Sequence, residues 1–406
     1  MTRYLVVGNG IAGVTAAQAI AQAEPGADLH VYAAEGHPYY RRPQLPAYIA
    51  GEATERDITH RPPQWYKEQG IRVHLSCPVA ELEPSAGRVR LEDGRTAAYD
   101  RLLLATGGRS WLVPVEGITL RGLFALRTLD DARAICAHAD TARQAVVIGG
   151  GLLGLETARA LRARGLAVTV LELSEHLMPR QVDREGAVVL QGIVESLGIR
   201  VLTQAATEAI VGRQAVEGVQ VKNGPELPTD LVICAAGWRC QVGLAQQAGL
   251  AVNRGIVADA HLQTSAEAIY AAGDVAEVEG QLYGIVPAAV EQARVAAANM
   301  VAAGSARYTG TIPSTTLKVA GAELTTLGQA VVEEQGLLQL RHVDLEARHY
   351  RKFVVQDGQI VGAIMLNERA RSLVVRRLIQ QRVDVSRHTA RLLDDEFDLK
   401  SLLESD

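Results

Sequence analysis

The chain has 406 residues and a formal net charge of −5, with few aromatic residues and charges of both signs interspersed. This length exceeds one ordinary hydrophobic core and predicts two or three domains, and the scarcity of aromatic residues favours α/β layers. The sequence lacks the basic stripe of a nucleic-acid-binding protein and any apolar stretch that could span a bilayer. Because glycines also interrupt the first apolar run, which argues against a signal peptide, we expect a cytoplasmic protein that binds neither nucleic acid nor membrane.

The N-terminal segment has the pattern of strand, tight turn and helix. An apolar strand at residues 4–7 runs into Gly8, Gly10 and Gly13, and apolar residues then recur at helical spacing. In such a turn the first glycine permits the sharp bend, the second lets a pyrophosphate approach the backbone, and the third lets helix and strand pack closely. A second strand at residues 29–32 precedes Glu35, whose carboxylate could accept hydrogen bonds from an adenosine ribose. Three glycines alone also occur by chance, but this context favours a dinucleotide site.

Residues 37–46 contain three prolines, which predict an irregular, constrained loop. Its two arginines and two tyrosines could face a phosphate or a flat ring, or could simply lie in solvent. A hairpin with an Asp-Gly turn is predicted at residues 88–99. A buried strand follows and ends in small residues at Ala105, Thr106 and Gly107, where the chain could approach a bound cofactor.

The opening pattern recurs as a whole unit in the middle of the chain. An apolar strand at residues 145–148 runs into Gly149, Gly151 and Gly154, and the next strand, at residues 167–171, ends at Glu172. Two dinucleotide sites allow one to hold a redox carrier and the other its reductant. A carboxylate at residue 172 would bind the free 2′-hydroxyl of NAD and repel a 2′-phosphate, which favours NADH over NADPH. Arg180 lies nearby and could weaken that preference.

Another buried strand, at residues 269–272, ends in Gly273 and Asp274. The carboxylate could accept hydroxyls of a cofactor chain, or it could cap the helix expected to start near Pro287. From residue 311 alternating strands, a hairpin at residues 350–366, two short helices and an acidic tail predict a small α+β domain. The four cysteines and ten histidines lack paired or metal-ligand spacing, so inert cysteines and no metal site are expected.

Together these motifs resemble the FAD-dependent pyridine nucleotide oxidoreductase family, and most of all its NADH:rubredoxin reductases and the N-terminal part of NADH-dependent nitrite reductases. The resemblance implies an α/β fold with two Rossmann-like dinucleotide-binding domains, the FAD domain being split by the NAD domain, and a small α+β C-terminal domain. The expected ranges are residues 1–112 and 240–310 for the FAD domain, 113–239 for the NAD domain and 311–406 for the C-terminal domain.

The resemblance also assigns roles. Asp274 would hold the FAD ribitol, Glu35 the adenosine ribose and Val79 the adenine through its main chain, while Arg42 and Pro43 would approach the isoalloxazine or the pyrophosphate. The full set of candidates for FAD is Gly8, Gly10, Ile11, Ala12, Gly13, Glu35, Arg42, Pro43, Val79, Ala105, Thr106, Gly107, Arg109, Gly273, Asp274, Pro287 and Ala288. The candidates for NADH are Gly149, Gly151, Leu152, Leu153, Gly154, Glu172 and Gly237.

The sequence departs from related groups in two ways. It has no cysteine before Cys77, so a redox disulfide of the glutathione or thioredoxin reductase type is not expected. The oxygenase-type ferredoxin reductases carry a lysine where this chain has Ala47, although Glu156, the partner of that lysine in the relatives, is present. Lys318 is the candidate for the positive charge near the flavin, and an ordinary interdomain ion pair is its alternative. Lys318 and Glu156 are therefore the two candidate catalytic residues.

The predicted activity is electron transfer from NADH through FAD to a small iron–sulfur protein, with rubredoxin as the leading acceptor and a ferredoxin as the other. The alternatives are a flavoprotein component of a nitrite reductase or oxygenase system, an NADH oxidase producing hydrogen peroxide, and a signalling flavoprotein. An acidic partner would need a basic surface, to which Arg41, Arg348, Arg351 and Lys352 could contribute; a merely solvated charged face is the other interpretation. The sequence does not distinguish a monomer from a homodimer.

Overall fold

The protein is described from a computed structural model that covers residues 1–319, 322–332 and 336–404. Its residues form two compact units, and each contains a glycine-loop motif. The first unit comprises Met1–Gln44, Ala53–Arg109 and Trp238–Thr311; the second comprises Leu45–Glu52, Ser110–Gly237 and the chain from Ile312 onward.

The strands of the described residues are β1 (Arg3–Val7), β2 (Asp28–Tyr32), β3 (Arg72–His74), β4 (Val79–Glu83), β5 (Arg88–Leu91), β6 (Thr96–Ala98), β7 (Arg101–Leu104), β8 (Gly108–Ser110), β9 (Leu123–Phe124), β10 (Gln144–Ile148), β11 (Ala167–Leu171), β12 (Ile199–Leu202), β13 (Thr207–Val211), β14 (Gly218–Val221), β15 (Glu226–Pro228), β16 (Leu231–Cys234), β17 (Trp238–Cys240), β18 (Ile256–Ala258), β19 (Ile269–Ala271), β20 (Ala276–Val278), β21 (Ser314–Val319), β22 (Ala322–Gly328), β23 (Leu338–Asp344), β24 (His349–Gln356) and β25 (Gln359–Leu366).

The α-helices of the described residues are α1 (Ile11–Ala23), α2 (Leu45–Ile49), α3 (Glu55–Ile58), α4 (Pro63–Glu68), α5 (Leu129–Ala139), α6 (Leu152–Ala163), α7 (Arg184–Ser196), α8 (Gly243–Gln247), α9 (Val286–Val301) and α10 (Arg369–Gln381). Short 3-10 helices cover Arg42–Gln44, Pro84–Ala86, Ser386–Arg391 and Leu399–Leu403.

The first unit is built on a parallel sheet with strand order β19-β7-β1-β2-β3. Its central strand β1 is almost continuously apolar and buried, as expected for a strand covered on both faces. Helices α1 and α9 pack against each other in this unit. The antiparallel strands β4, β5 and β6 include the predicted hairpin at its Asp-Gly turn. The carboxyl ends of β1, β7 and β19 therefore carry their glycine-rich loops to one edge of the sheet.

The second unit repeats this plan with a parallel sheet of order β12-β11-β10-β16-β9. Strand β10 occupies the position of β1 and leads into helix α6. Helix α5 begins with a capping box between Thr128 and Asp131, and helix α7 begins with Asp183 as its side-chain cap. The sequence repeat is thus a repeat of a complete strand, turn and helix.

The C-terminal part of the second unit is an antiparallel sheet, in which the described strands follow the order β21-β22-β25-β24-β23. The predicted hairpin is β24 and β25, paired from Tyr350 to Gln356. The edge strand β23 has no counterpart among the predicted strands, because none of its residues is buried and its exposed and half-buried residues do not alternate. The expectation of two short helices is corrected to one long helix, α10, followed by 3-10 turns.

The segment at residues 37–46 is more regular than its prolines suggest. Pro43 lies within a 3-10 helix, and Pro46 occupies the first turn of α2. Proline is tolerated at both places because the amide it lacks would have no partner inside the helix. The prediction of an irregular loop is therefore wrong for its second half, whereas the prediction of an α/β fold with two Rossmann-like regions is confirmed.

Candidate functional site

The first glycine loop is shaped by two glycines that cannot carry a side chain. Gly8 has φ of +115°, and a Cβ atom there would lie 2.2 Å from the carbonyl oxygen of Ala105. A Cβ atom at Gly13 would lie 1.9 Å from the carbonyl oxygen of Gly8. The amide of Gly8 donates to the carbonyl of Tyr32 over 2.8 Å, which fixes the turn against β2. Both glycines are therefore required by packing within the protein.

Gly10 is different, because a Cβ atom there would meet nothing within 4 Å. Gly10 caps α1 with extended backbone, and none of the described side chains caps the amides of the first helical turn, where Ile11 and Ala12 lie. The space over Gly10 and these amides forms a cradle that a side chain would fill. The amide donors at this helix N-terminus suit the pyrophosphate of a dinucleotide.

The second loop has the same geometry. Gly149 also has φ of +115°, its amide donates to Leu171 over 2.7 Å, and a Cβ at Gly154 would again lie 1.9 Å from a carbonyl oxygen, that of Gly149. A Cβ atom at Gly151 would meet nothing within 4 Å. Leu152 and Leu153 open helix α6, and Leu153 is partly exposed. The second unit therefore holds a second cradle of the same kind.

The acidic residue of the first motif lies among polar side chains. Glu35 accepts a hydrogen bond from the Tyr40 hydroxyl and pairs with the Arg42 guanidinium, each at 2.5 Å. The Arg42 guanidinium also lies 5.4 Å from the centre of the Tyr40 ring. Burial acts to lower the pKa of Arg42, but Tyr40 and Glu35 outweigh it and raise that pKa. The structure thus brings together the predicted residues Glu35 and Arg42, with Pro43 next in the chain.

The acidic residue of the second motif is held by the backbone instead. Glu172 is buried, with 8% of its surface exposed. One carboxylate oxygen accepts the amide of Gly150 at 2.7 Å, and the other accepts that of Ser174 at 2.8 Å. Gly150 lies inside the second glycine loop, so the carboxylate is fixed beside the cradle. Arg180 is exposed in this unit.

The end of β7 and the segment after β17 are tied together. The Thr106 hydroxyl donates to the carbonyl of Gln241, and the amide of Gln241 donates to the carbonyl of Gly107, both over 2.9 Å. Gly107 has φ of +69°, and Arg109, two residues on, is exposed. Ala105 is buried against Gly8. Val79 lies at the start of β4, paired with Leu91.

The loop after β19 brings Gly273 and Asp274 to the start of α1. Gly273 has φ of +84°, and a Cβ atom there would lie 2.9 Å from the Cβ of Ala12. The Cys240 thiol donates to the carbonyl of Asp274 over 3.2 Å, a contact that nothing in the spacing of the cysteines suggested. Burial first, and then Asp274, raise the pKa of this thiol to about 11, so it stays protonated and unreactive. Pro287 and Ala288 lie in the first turn of α9, and Ala288 is buried.

The remaining candidates belong to the second unit. The carbonyl of Gly237 accepts the amide of Trp111 over 3.0 Å. Glu156 lies on α6, and strand β21, which carries Lys318, packs against that helix. The backbone of Lys318 pairs with Glu323, but its side chain lies outside the described part of the structure, as do residues 320 and 321. The two candidate catalytic residues therefore lie on elements that pack against each other.

The proposed basic docking surface needs correction. Lys352 is 1% exposed and pairs with Asp183 at 3.0 Å, and Arg351 is buried against Glu368. Exposed and buried residues alternate along a strand only where one face of the sheet meets solvent. Strand β24 is buried on both faces, so its two cations are buried as well. These two cations form ion pairs inside the protein and are not accessible to a partner. Arg41 is exposed.

Among the residues that the structure describes, no helix is long and apolar enough to cross a membrane. No group of three or more histidine, cysteine, aspartate or glutamate side chains within them could hold a metal ion. All four cysteines are free thiols.

Comparison with known proteins gives two family matches. Residues 2–299 match the model described as pyridine nucleotide-disulphide oxidoreductase, and residues 313–383 match the one described as rubredoxin NAD+ reductase C-terminal domain. A nitrite reductase [NAD(P)H] of Bacillus subtilis is 35% identical over 95% of the chain, and the chain spans 48% of that relative. The chain thus spans about half the length of this relative.

Two other similarities extend over both partners. The ferredoxin reductase component of a chlorobenzene dioxygenase from a Cupriavidus species is 31% identical over 99% of this chain and 98% of its own length. The crystal structure of the covalent putidaredoxin reductase–putidaredoxin complex contains a chain that superposes with a TM-score of 0.91 at 28% identity, covering 99% of this chain and 98% of that one. With its two glycine cradles on two parallel sheets, this chain belongs to the pyridine nucleotide-disulphide oxidoreductase family, an FAD- and NAD(H)-dependent family of oxidoreductases.

Proposed function

We propose that this protein oxidises NADH with a bound FAD and passes the electrons to a small iron–sulfur protein, with rubredoxin as the leading acceptor. The observation that carries the proposal is the pair of matching cradles, one in each unit, at Gly10 and Gly151. One dinucleotide can then remain as a redox carrier while the other exchanges. The name of the C-terminal family model and the ferredoxin reductase relative support an iron–sulfur acceptor.

The first unit is the proposed FAD site. The loop from Gly8 to Gly13 would receive the pyrophosphate, Glu35 the adenosine ribose and Asp274 the ribitol. Residues 105–107 and the first turn of α9 would line the cofactor, and the Arg42 guanidinium adds positive charge beside Glu35. The cradle is open to a ligand and shaped on both sides by glycines, so the residues present fit this group. FAD, when bound, would supply the chemistry that accepts two electrons from a donor and releases them one at a time.

The second unit is the proposed NADH site. The loop from Gly149 to Gly154 would bind the pyrophosphate, and Glu172 the hydroxyls of the adenosine ribose. Because Glu172 is fixed by two backbone amides, its negative charge stays beside the cradle and would repel a 2′-phosphate. NADH is therefore the proposed reductant, with NADPH disfavoured. Lys318 remains the proposed positive charge near the flavin. Glu156 remains the second proposed charged residue of the site.

The acceptor is proposed to be another protein. Cys240, the cysteine beside Asp274, is protonated because of its burial, and no cysteine precedes Cys77 in the sequence. A dithiol relay of the kind that gives the family its name is therefore not part of the proposal. Because one relative is a nitrite reductase of about twice this length, the flavoprotein part of a nitrite-reducing system is the second candidate.

Two glycine variants test the assignment of the two sites. Gly10→Val and Gly151→Val each place a side chain into open space, so both should fold. We expect Gly10→Val to lose FAD, and Gly151→Val to retain FAD but to be reduced by NADH only at a raised NADH concentration. Gly192→Val, in an exposed turn of α7 where a Cβ also meets nothing within 4 Å, is the matched control. Full FAD retention in Gly10→Val would refute the assignment of the first cradle.

The acceptor is tested with the unmodified protein under anaerobic conditions. Excess NADH and oxidised rubredoxin are added to the flavin-loaded protein, and bleaching of the rubredoxin is followed. Multiple-turnover bleaching that depends on the enzyme is expected. Prompt flavin reduction with no onward transfer would remove rubredoxin as the acceptor while leaving the NADH and FAD assignments intact.

A further inference from the structure

A buried glutamine on α9 contacts the loop that presents Asp274. Gln292 is 1% exposed, and its side-chain oxygen accepts the amide of Gly273 over 2.9 Å. Gly273 has positive φ and lies against Ala12, so its peptide has little freedom to turn. Buried glutamine is costly unless both ends of its amide are satisfied. The buried Gln292 amide is therefore kept in place by specific hydrogen-bond partners and not by apolar packing alone.

The Gln292 side chain also interacts with the buried Tyr308 phenol, which belongs to a series of hydrogen-bonded hydroxyl groups. This interaction acts to lower the pKa of Tyr308, and Tyr283 is another neighbour, which acts to raise it. The Tyr308 hydroxyl lies 2.7 Å from that of Thr311, and the Thr311 hydroxyl donates to the carboxylate of Glu291. Burial raises the pKa of Tyr308 above its ordinary value, so the phenol keeps its proton.

These contacts set the donor and the acceptor of each hydrogen bond in this series of side chains. Because a carboxylate only accepts, the Thr311 proton points to Glu291, and the Tyr308 proton must then point to Thr311. The Gln292 amide oxygen accepts from Gly273, so the amide nitrogen is the end that can donate toward Tyr308, in keeping with the lowering effect of Gln292 on the pKa of Tyr308. A flipped amide would set two donors against each other at Gly273. Linked hydrogen bonds of this kind polarise and strengthen one another.

We infer that Gln292 is a positioning residue for cofactor binding, which fixes the Gly273 peptide and so aims Asp274 at the FAD ribitol. Tyr308, Thr311 and Glu291 set the orientation of its amide. This inference rests on the proposed function, because the FAD role of Asp274 is itself proposed. No local sequence pattern indicates this role, since Gln292 is one polar residue in an alanine-rich helix.

The test compares Gln292→Leu with Asn299→Leu. Asn299 lies two turns further along α9, is equally buried, and binds the carbonyls of His261 and Ala306 instead of the 273–274 loop. Both variants remove a buried amide from the same helix, so both should lower the melting temperature. The dissociation constant of FAD is measured by quenching of flavin fluorescence, and that of ADP by competition.

We expect Gln292→Leu to weaken FAD about tenfold relative to Asn299→Leu. ADP has the adenosine and pyrophosphate but no ribitol, so its affinity should stay within about twofold to threefold of the wild-type value in both variants. Equal FAD affinity in the two variants, or an equal loss for FAD and ADP in Gln292→Leu, would overturn the inference. Absence of FAD binding by the wild-type protein would instead overturn the proposed function.

A milder variant keeps the test valid if Gln292→Leu does not fold. Tyr308→Phe removes only the hydroxyl that orients the Gln292 amide. It should weaken FAD about threefold, again with little change for ADP. An FAD affinity equal to that of the wild-type protein would count against the orienting chain.

Discussion

The buried ion pair between Lys352 and Asp183 allows a quantitative test of the second unit. The two charges lie 3.0 Å apart, with 1% of the Lys352 side chain and 17% of the Asp183 side chain exposed. Asp183 also accepts the Tyr350 hydroxyl at 2.8 Å and, as the cap of α7, the amide of Gly186 at 3.2 Å. One carboxylate therefore joins strand β24 to the first turn of helix α7.

The perturbation is Lys352→Met, which keeps most of the buried side-chain volume and removes the charge. Loss of one partner from a fully buried pair costs about 3–5 kcal/mol. Here the carboxylate keeps the Tyr350 and Gly186 donors and some exposure to water, so we expect a loss of about 2–4 kcal/mol in the free energy of unfolding. Arg88→Met, which breaks the half-exposed pair with Glu83, is the control and should change stability little.

The assay is urea denaturation of each variant, repeated at several pH values. Burial acts to raise the pKa of Asp183, but hydrogen bonds from Lys352 and Tyr350 and the Lys352 charge hold that pKa below its ordinary value of 3.8. The stabilisation is thus fully present above pH 3.8 and is lost as the pH falls through the folded-state pKa. The difference between wild type and Lys352→Met should therefore shrink in acid. A difference that is negligible at neutral pH, or constant down to low pH, would refute the reasoning.

Three further predictions concern single side chains. Burial, His30 and nearby arginines lower the pKa of His74, so stability should fall as the pH drops below 6.5, and His74→Gln should reduce that dependence in acid denaturation curves. Glu172→Arg should shift the ratio of kcat/KM from NADH toward NADPH by about tenfold or more, and an unchanged ratio would show that Glu172 does not contact the ribose. Asp274→Ala should release FAD on gel filtration; a fully yellow variant with normal turnover would contradict the ribitol role.

The glycine loops could be predicted because their geometry is local. The turn, the close approach and the helix start all fall within a few residues, so the spacing of Gly8, Gly10 and Gly13 carries the information, as does its repeat at Gly149. The predicted range of strand β11 matches the structure to the residue, because four of its five residues are apolar and three of them are buried. The residues that form the two cradles could therefore be predicted from the sequence.

Features that depend on contacts between distant parts of the chain could not be predicted from the sequence. Lys352 and Arg351 resemble surface cations in sequence, and only the packing of β24 against α7 and the Glu368 region buries them. Gln292 and Cys240 look incidental until the 273–274 loop lies against them. Burial and pairing of polar side chains are set by tertiary contacts, which no local pattern records.

The two cradles share one backbone geometry, so a difference in their ligands must arise from the residues around them. Glu35 is 26% exposed and held by the side chains of Tyr40 and Arg42, which can rearrange around an arriving adenosine. Glu172 is held by backbone amides of its own loop, and such a carboxylate is already in place before a ligand binds. Preorganisation lowers the ordering cost of binding, and the Glu172 carboxylate is the preorganised one of the two. The two sites therefore differ in how their acidic residues are held, although their glycine turns are alike.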